Sequence, residues 1–261
     1  MKLTRSSFTL LALTSAATLS TAVSAQELYL SGSIGLIDQS DSSNAGIFTS
    51  QFVTGAVTGV TPPLTIPAGS DVGWNTEFEQ GDFFTAAFGA KLAGFRLELE
   101  HRESSSDVDT HRGVNAAGLD LSALDAGVLI SGNSGDLGVS VADLVAAGGG
   151  YLDNNSLMVN GYYDFNLGGA LTPYLGLGLG NSDSEVAFAP SGTSILRGSD
   201  DGFAYQLVAG VSFSLTQYLD IFLNYRYMDG EDFSVSASLL PASFEIENKS
   251  QSLDVGLRFS F

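Results

Sequence analysis

The ten residues Ser252 to Phe261, SLDVGLRFSF, alternate without a break. Leu253, Val255, Leu257, Phe259 and Phe261 share one face. Asp254, Gly256, Arg258 and Ser260 share the other. A period of two is the signature of a β-strand, whose successive side chains point to opposite sides of the sheet. The fold turns on which of these faces is inside.

Working outward from this stretch, the same alternation appears in seven more segments: ELYLSGSIGLID (27–38), FFTAAFGAKL (83–92), FRLELEHR (95–102), SLMVNGYYDF (156–165), LTPYLGLGLG (171–180), FAYQLVAGVSF (203–213) and LDIFLNYRYM (219–228). One face of each is apolar. The opposite faces carry Lys91, Arg96, Arg102, Arg226 and Arg258 against Glu98, Glu100, Asp164, Asp220 and Asp254, diluted with Gly, Ser and Asn. The signs balance on these faces, although the chain as a whole has ten Lys and Arg against 29 Asp and Glu. A solvated face in so acidic a chain has no reason to be neutral. An enclosed face has one, because an unpaired buried charge is costly. The polar faces therefore read as an enclosed, ion-paired interior and the apolar faces as exterior. Only lipid tolerates that on every strand, and only a closed barrel satisfies all backbone groups there.

The remaining features agree with an exported membrane protein. Lys2 and Arg5, the apolar run Phe8–Val23 and the small residues Val23-Ser24-Ala25 form a secretory signal peptide over residues 1–25, with cleavage between Ala25 and Gln26. Loss of Lys2 and Arg5 takes the formal charge from −19 to −21. The chain has no cysteine, so no disulfide framework and no thiolate metal site. Connections alternate between tight turns, such as Ala93-Gly94, and long loops of about 45, 50, 20 and 20 residues, the outer-membrane barrel arrangement with short periplasmic turns and long extracellular loops. Outward aromatics then fall into two girdles. Phe95, Phe165, Phe213, Phe259 and Phe261 lie at periplasmic ends, and Phe84, Phe203, Tyr205, Tyr225 and Tyr227 at extracellular ends. The predicted fold is an all-β, eight-stranded, antiparallel, up-and-down transmembrane barrel over residues 26–261. Ten strands result if AGVLISG and LGVSVADLV in the third-strand loop form a further membrane hairpin.

The hairpin GAKLAGFRLELEHR, the strands NSLMVNGYYDF, PYLGLGLG and FAYQLVAGVSF, and the final Phe resemble the OmpA-like and opacity-protein (surface antigen) family of small Gram-negative outer-membrane barrels. The resemblance spans Leu28–Phe261, apart from the first two long loops. It implies location in the bacterial outer membrane, contact with lipid and lipopolysaccharide, and recognition of Phe261, with Phe259 before it, by the barrel-assembly machinery.

For function, an eight-stranded barrel is just wide enough for its own side chains. The interior ions read as a plug rather than a path, with inward Gly176, Gly178 and Gly180 making room for long neighbours such as Arg226. A narrow solute or ion pore is the alternative, and an outer-membrane lipid-modifying enzyme a weak third. Asp107-Val108-Asp109 and the DGED at 229–232 lack EF-hand spacing and read as solvated loop charge. Only His101 and His111 are available for acid–base chemistry and neither sits in a nucleophile pattern, so catalysis, metal and cofactor are not expected. The charge excludes nucleic acid. Trp74 reads either as an interfacial anchor or as part of a loop cluster. The expectation is a monomeric structural or surface-interaction protein whose acidic extracellular loops meet a host or cell-surface ligand.

Overall fold

The computed structural model describes residues 27–261; the signal peptide and its Ala25–Gln26 cleavage site lie outside the described residues. The strands, in chain order, are β1 (Glu27–Gln39), β2 (Ser42–Phe48), β3 (Phe52–Val53), β4 (Thr65–Ile66), β5 (Asp71–Phe78), β6 (Gly81–Leu92), β7 (Phe95–Ala116), β8 (Leu119–Asp120), β9 (Gly150–Asp164), β10 (Leu171–Phe188), β11 (Leu196–Ser214), β12 (Leu219–Ser236) and β13 (Ala242–Ser260). Eight of them close into an antiparallel ring, β1-β6-β7-β9-β10-β11-β12-β13, sealed where β13 pairs β1 from Tyr29↔Ser260 to Gln39↔Ser250. Among the described residues no helix is long and apolar enough to cross a membrane. The Ala93-Gly94 turn between β6 and β7 has φ of 47° and 87°. Two positive φ values match the right-handed twist of the strands they join.

The ring is much taller than the sequence reading allows. β2 continues β1 along the same partner, since both pair β13. β5 likewise precedes β6 along β7. β2 and β5 pair with each other, so above the membrane they occupy the places that β1 and β6 fill below. β7 alone runs for 22 residues. At about 3.3 Å per residue and a tilt near 40° this spans roughly 55 Å, about twice the ~25 Å apolar band of an outer-membrane barrel. The long connections therefore shrink to residues 49–70, 117–149, 189–195 and 237–241.

β13 shows why the extension was read as loop. Its lower inward residues are Ser252, Asp254, Gly256, Arg258 and Ser260, facing outward Leu253, Val255, Leu257 and Phe259. Its upper inward residues are Ala242, Phe244 and Ile246, backed by outward Glu245 and Glu247. β10 makes the same exchange. Outward Leu175, Leu177 and Leu179 give way to Asn181, Asp183 and Glu185, while the inward side goes from glycine and serine to Val186 and Phe188. The solvent outside changes from hydrocarbon to water part-way up each strand, and the polarity of both faces inverts with it.

Residues 117–149 do not add a membrane hairpin. AGVLISG contributes a 3₁₀ turn at Ala126–Leu129, and LGVSVADLV contributes the short helix α1 (Val141–Ala146), capped by the Ser140 hydroxyl on Asp143 N–H. Together with the β3–β4 hairpin of residues 49–70, these segments close the top. Gly55 N–H donates to Val128 O at 3.1 Å and Ala56 N–H to Asn133 O at 2.8 Å, tying the two loops together.

Candidate functional site

The lumen is stacked in three layers. The lowest, within the membrane, is ionic. Arg226 lies at its centre: Nη1 donates to both Glu100 carboxylate oxygens at 2.8 Å, and Nε to Asp254 Oδ1 at 2.9 Å. Gln206 Nε2 donates to Glu100 Oε1 at 2.9 Å and to Asn160 Oδ1 at 2.8 Å. Asn224 Nδ2 donates to Asp254 Oδ2, and its Oδ1 accepts from the Tyr174 hydroxyl at 2.5 Å. Towards the periplasm, Arg96 Nε lies 2.9 Å from Asp164 Oδ1, and its guanidinium is sandwiched between the rings of Tyr162 and Tyr174, each 4.4 Å away. Glu98 accepts from the Tyr162 hydroxyl, Asn160 and Ser31. Arg102 has its guanidinium 4.1 Å from the Phe83 ring and donates to Ser252.

Eight of the ten interior charges are thus buried. Lys91, with a side chain 41% exposed and 4.0 Å from Asp164, and Asp220, 3.6 Å from Arg258, mark the periplasmic mouth. Sequence reasoning overlooked the inward aromatics Tyr29, Phe83, Tyr162, Tyr174 and Phe222, although strict parity next to outward Tyr163 or Leu223 assigns them. It also misjudged what the glycines make room for. A Cβ on Gly176 would meet the Tyr162 ring at 2.3 Å, and a Cβ on Gly180 would meet Met158. At Gly178 the neighbours are Asn160 and Gln206. Arg226 is not among the nearest atoms at any of the three.

The middle layer is a neutral belt. Ser184 Oγ donates to Asn154 Oδ1 at 2.6 Å, and Asn248 Nδ2 donates to the same oxygen at 2.8 Å; Ser156 and Ser182 pair at 2.9 Å. Above it lies an apolar core, where Trp74 packs 4.4 Å from Phe244 between ring centroids and 6.3 Å from Phe188. Trp74 is therefore a core residue of the extracellular storey, not an anchor in the lipid interface. The capping loops add Phe52, Val57 and Ile66 from one side and Leu121, Val128 and Val145 from the other. Asp125 fastens the second loop by accepting the N–H groups of Leu137, Gly138 and Gly127, and the Leu137 bond chiefly holds its carboxyl below the usual carboxylate range.

The two histidines are placed on opposite sides of the wall. His101 faces outward, 3.0 Å from Glu103, with its ring 6.3 Å from that of Phe84. His111 is 3% exposed inside the apolar storey, its Nδ1 2.9 Å from Thr76 Oγ1. Burial pushes its pKa down to about 4, against the opposing effect of hydrogen bonding with the Gly149 backbone, so the ring is neutral at physiological pH. Among the described residues no cluster of three or more His, Asp or Glu has the geometry to hold a metal.

A sealed antiparallel ring, greasy outside and ionic inside, crossing with strands and bounded by aromatics at both ends, defines an outer-membrane β-barrel protein. The sequence pattern of the surface antigen family matches residues 66–261, and the chain belongs to that family. It is similar to the outer membrane protein PagN of Salmonella typhimurium, with 29% identity over 117 residues, 40% of this chain and 48% of PagN. It is also similar to an uncharacterized protein of Brucella abortus, with 38% identity over 92 residues, 30% of this chain and 32% of that protein. The matched stretches span about a third and about half of those two relatives. Among solved structures, the outer membrane protein OprG from Pseudomonas aeruginosa superposes with a TM-score of 0.54 at 14% identity, covering 91% of this chain and 96% of that one, a likeness of fold.

Proposed function

We propose that this outer-membrane barrel is a monomeric, non-catalytic surface-contact protein that holds an acidic tower above the membrane for a cationic partner on a host or neighbouring cell surface. The observation that carries the reading is the charge on the tower. Its three cations are already engaged: Arg112 with Glu77, Arg197 with Glu185 at 3.0 Å, and Lys249 with Glu247 at 3.4 Å. Asp200, Asp201, Glu231 and Asp232 remain exposed and gather around one cleft at the register shift between Gly230 and Phe233 of β12. Such a surface attracts positive charge over the range of a Debye length. Strands rather than free loops carry it, so little ordering cost attaches to binding. The ionic layer and the apolar cap support a closed lumen, and the apolar band supports contact with lipid and lipopolysaccharide.

The test uses the full protein in lipid nanodiscs with a fluorescent oligo-lysine peptide. Binding that weakens steeply with salt, and weakens further in the Asp200→Asn/Asp201→Asn/Glu231→Gln/Asp232→Asn variant, is the expected result. Salt-independent binding, equal affinity of the variant, or stable single-channel steps in planar bilayers would overturn the proposal.

A further inference from the structure

In the tower the wall is split along one seam. β11 and β12 pair as far as Ala204↔Gly230 and then part, meeting again at the isolated bridge Leu196↔Ala237. Between these points residues 197–203 and 231–236 have no ladder joining them, although β11 stays paired to β10 and β12 rejoins β13 at Phe233↔Ile246. The local cause is the register shift between Gly230 and Phe233, which turns β12 away as it rises. The Glu231 side chain reaches across the gap. A Cβ on Gly202 would meet Glu231 Cβ at 3.0 Å, and Glu231 Oε2 accepts the Phe203 N–H at 3.3 Å in place of a carbonyl from β12.

The split is a port from the outside to the neutral belt. A cleft of about 110 Å³ occupies it, with Asp200 and Asp201 on one rim, Glu231 and Asp232 on the other, and Ser182 and Asn248 behind. Asp200 shows the opening directly. It has the inward parity of Leu196 and Ala204, which are buried, yet it is exposed. At the back of the port an acceptor waits without a donor. Asn248 is 6% exposed, and its Nδ2 donates to Asn154 Oδ1 and to Ser184 Oγ. Those two bonds fix the amide. Its Oδ1 accepts from none of the described residues and is not sealed in the interior, so it opens on the cleft that the residue lines. The nearby cations are engaged elsewhere, Arg197 with Glu185 and Lys249 with Glu247. The port thus gathers acceptors on three sides and lacks a charged donor, the group that would make the strongest hydrogen bonds there.

We infer that the port receives one primary ammonium group, the end of a lysine side chain of the cationic partner, with its N–H donors on the rim carboxylates and on Asn248 Oδ1. This rests on the reading of the tower as a surface for such a partner, and adds a site that selects hydrogen-bond donors as well as charge. An ammonium carries three N–H groups in a tripod, which suits acceptors on three sides; a guanidinium holds its donors in one plane.

The experiment compares two fluorescent peptides on the full protein in nanodiscs: oligo-lysine, and the same peptide with every side chain trimethylated at Nε. Length and charge are equal, but the trimethylated peptide has no side-chain N–H to donate. The expected result is salt-dependent binding of both, with oligo-lysine tighter by at least about tenfold, the scale of one charge-assisted hydrogen bond. Ser182→Leu fills the port from behind with all four carboxylates in place. It is expected to bring the two peptides within about twofold of each other, with gel mobility without boiling confirming that the variant is folded. The wild-type comparison requires no variant. Equal affinity of wild type for the two peptides, both still salt-dependent, overturns the port and leaves the surface role of the tower standing. An undiminished preference in folded Ser182→Leu also overturns the port. Salt-independent binding of both peptides overturns the surface role, and the port with it.

Discussion

Replacing Arg226 by Met tests the ionic layer most sharply. The guanidinium holds two carboxylates, Glu100 and Asp254, and the side chains of all three are at most 2% exposed. Methionine fills much of the same volume but leaves both acids in a low-dielectric lumen without their main counter-ion. Breaking a buried pair from one side costs about 3–5 kcal/mol, and here two pairs break together, so a loss of at least about 4 kcal/mol is expected. With an m-value of roughly 2.5 kcal/mol per molar urea, this lowers the unfolding midpoint in lipid vesicles by about 1.5 M, read by the gel shift between folded and boiled protein. The compensating quadruple change Arg102→Met/Arg226→Met/Glu100→Gln/Asp254→Asn removes the whole neutral cluster, including buried Arg102, whose charged neighbours are Arg226, Glu100 and Asp254, and leaves hydrogen-bonding neighbours Gln206 and Asn224 in place. It is expected to recover most of the midpoint, because replacing a whole buried ionic cluster is often close to neutral. A single variant within the error of wild type, or a quadruple variant no better than the single, would refute the account of the lumen as a mutually neutralised cluster.

Further expectations concern the packing, the cap and assembly. Gly176→Val drives a side chain into the Tyr162 ring, which a Cβ there would meet at 2.3 Å, and so dislodges a face of the Arg96 sandwich; a cost of at least about 2 kcal/mol is expected in the same urea assay, with Gly161→Ala, where a Cβ meets open space, as the tolerated control. His111 is held neutral down to about pH 4 when folded, against 6.5 in the unfolded chain, so between these values the unfolded state binds more protons and stability falls as pH falls. That contribution is absent above pH 6.5 and reaches roughly 3 kcal/mol below pH 4. His111→Phe is expected to flatten this part of the pH profile, as urea midpoints at pH 7, 5 and 4 would show. Phe261, 58% exposed and with its N–H donating to Leu28 O, is expected to serve assembly more than stability. Phe261→Ala should lower the yield of inserted barrel in cells while shifting the urea midpoint of the purified protein by less than about 1 kcal/mol.

Much of the lower barrel was legible because lipid outside and ions inside impose the simplest of patterns on a strand. Leu253, Val255 and Leu257 could only face hydrocarbon once Asp254 and Arg258 were read as enclosed. The upper storey was hidden by the same logic. In ESSSDVDTHRG, residues 103–113, the outward positions turn polar while the inward ones are still serine, so no apolar face announces the strand until Val108, His111 and Val114. The inward aromatics were concealed by their outward neighbours, as Tyr162 was by Tyr163. His111 was read as a loop residue because nothing local distinguishes it. Its significance depends on Trp74, Thr76 and Asn44, which come from other strands.

The amino-acid sequence alone determined that this chain crosses a membrane as a strand ring and which face meets lipid, since those follow from a two-residue period and the cost of burying unpaired charge. Only the tertiary structure decided how far the ring rises beyond the membrane, which partner each ion takes, and that His111 is enclosed in an apolar storey against Trp74 and Phe188. These depend on register between strands distant in the chain, and on a change of outer solvent part-way along each strand that inverts the very pattern by which strands are recognised.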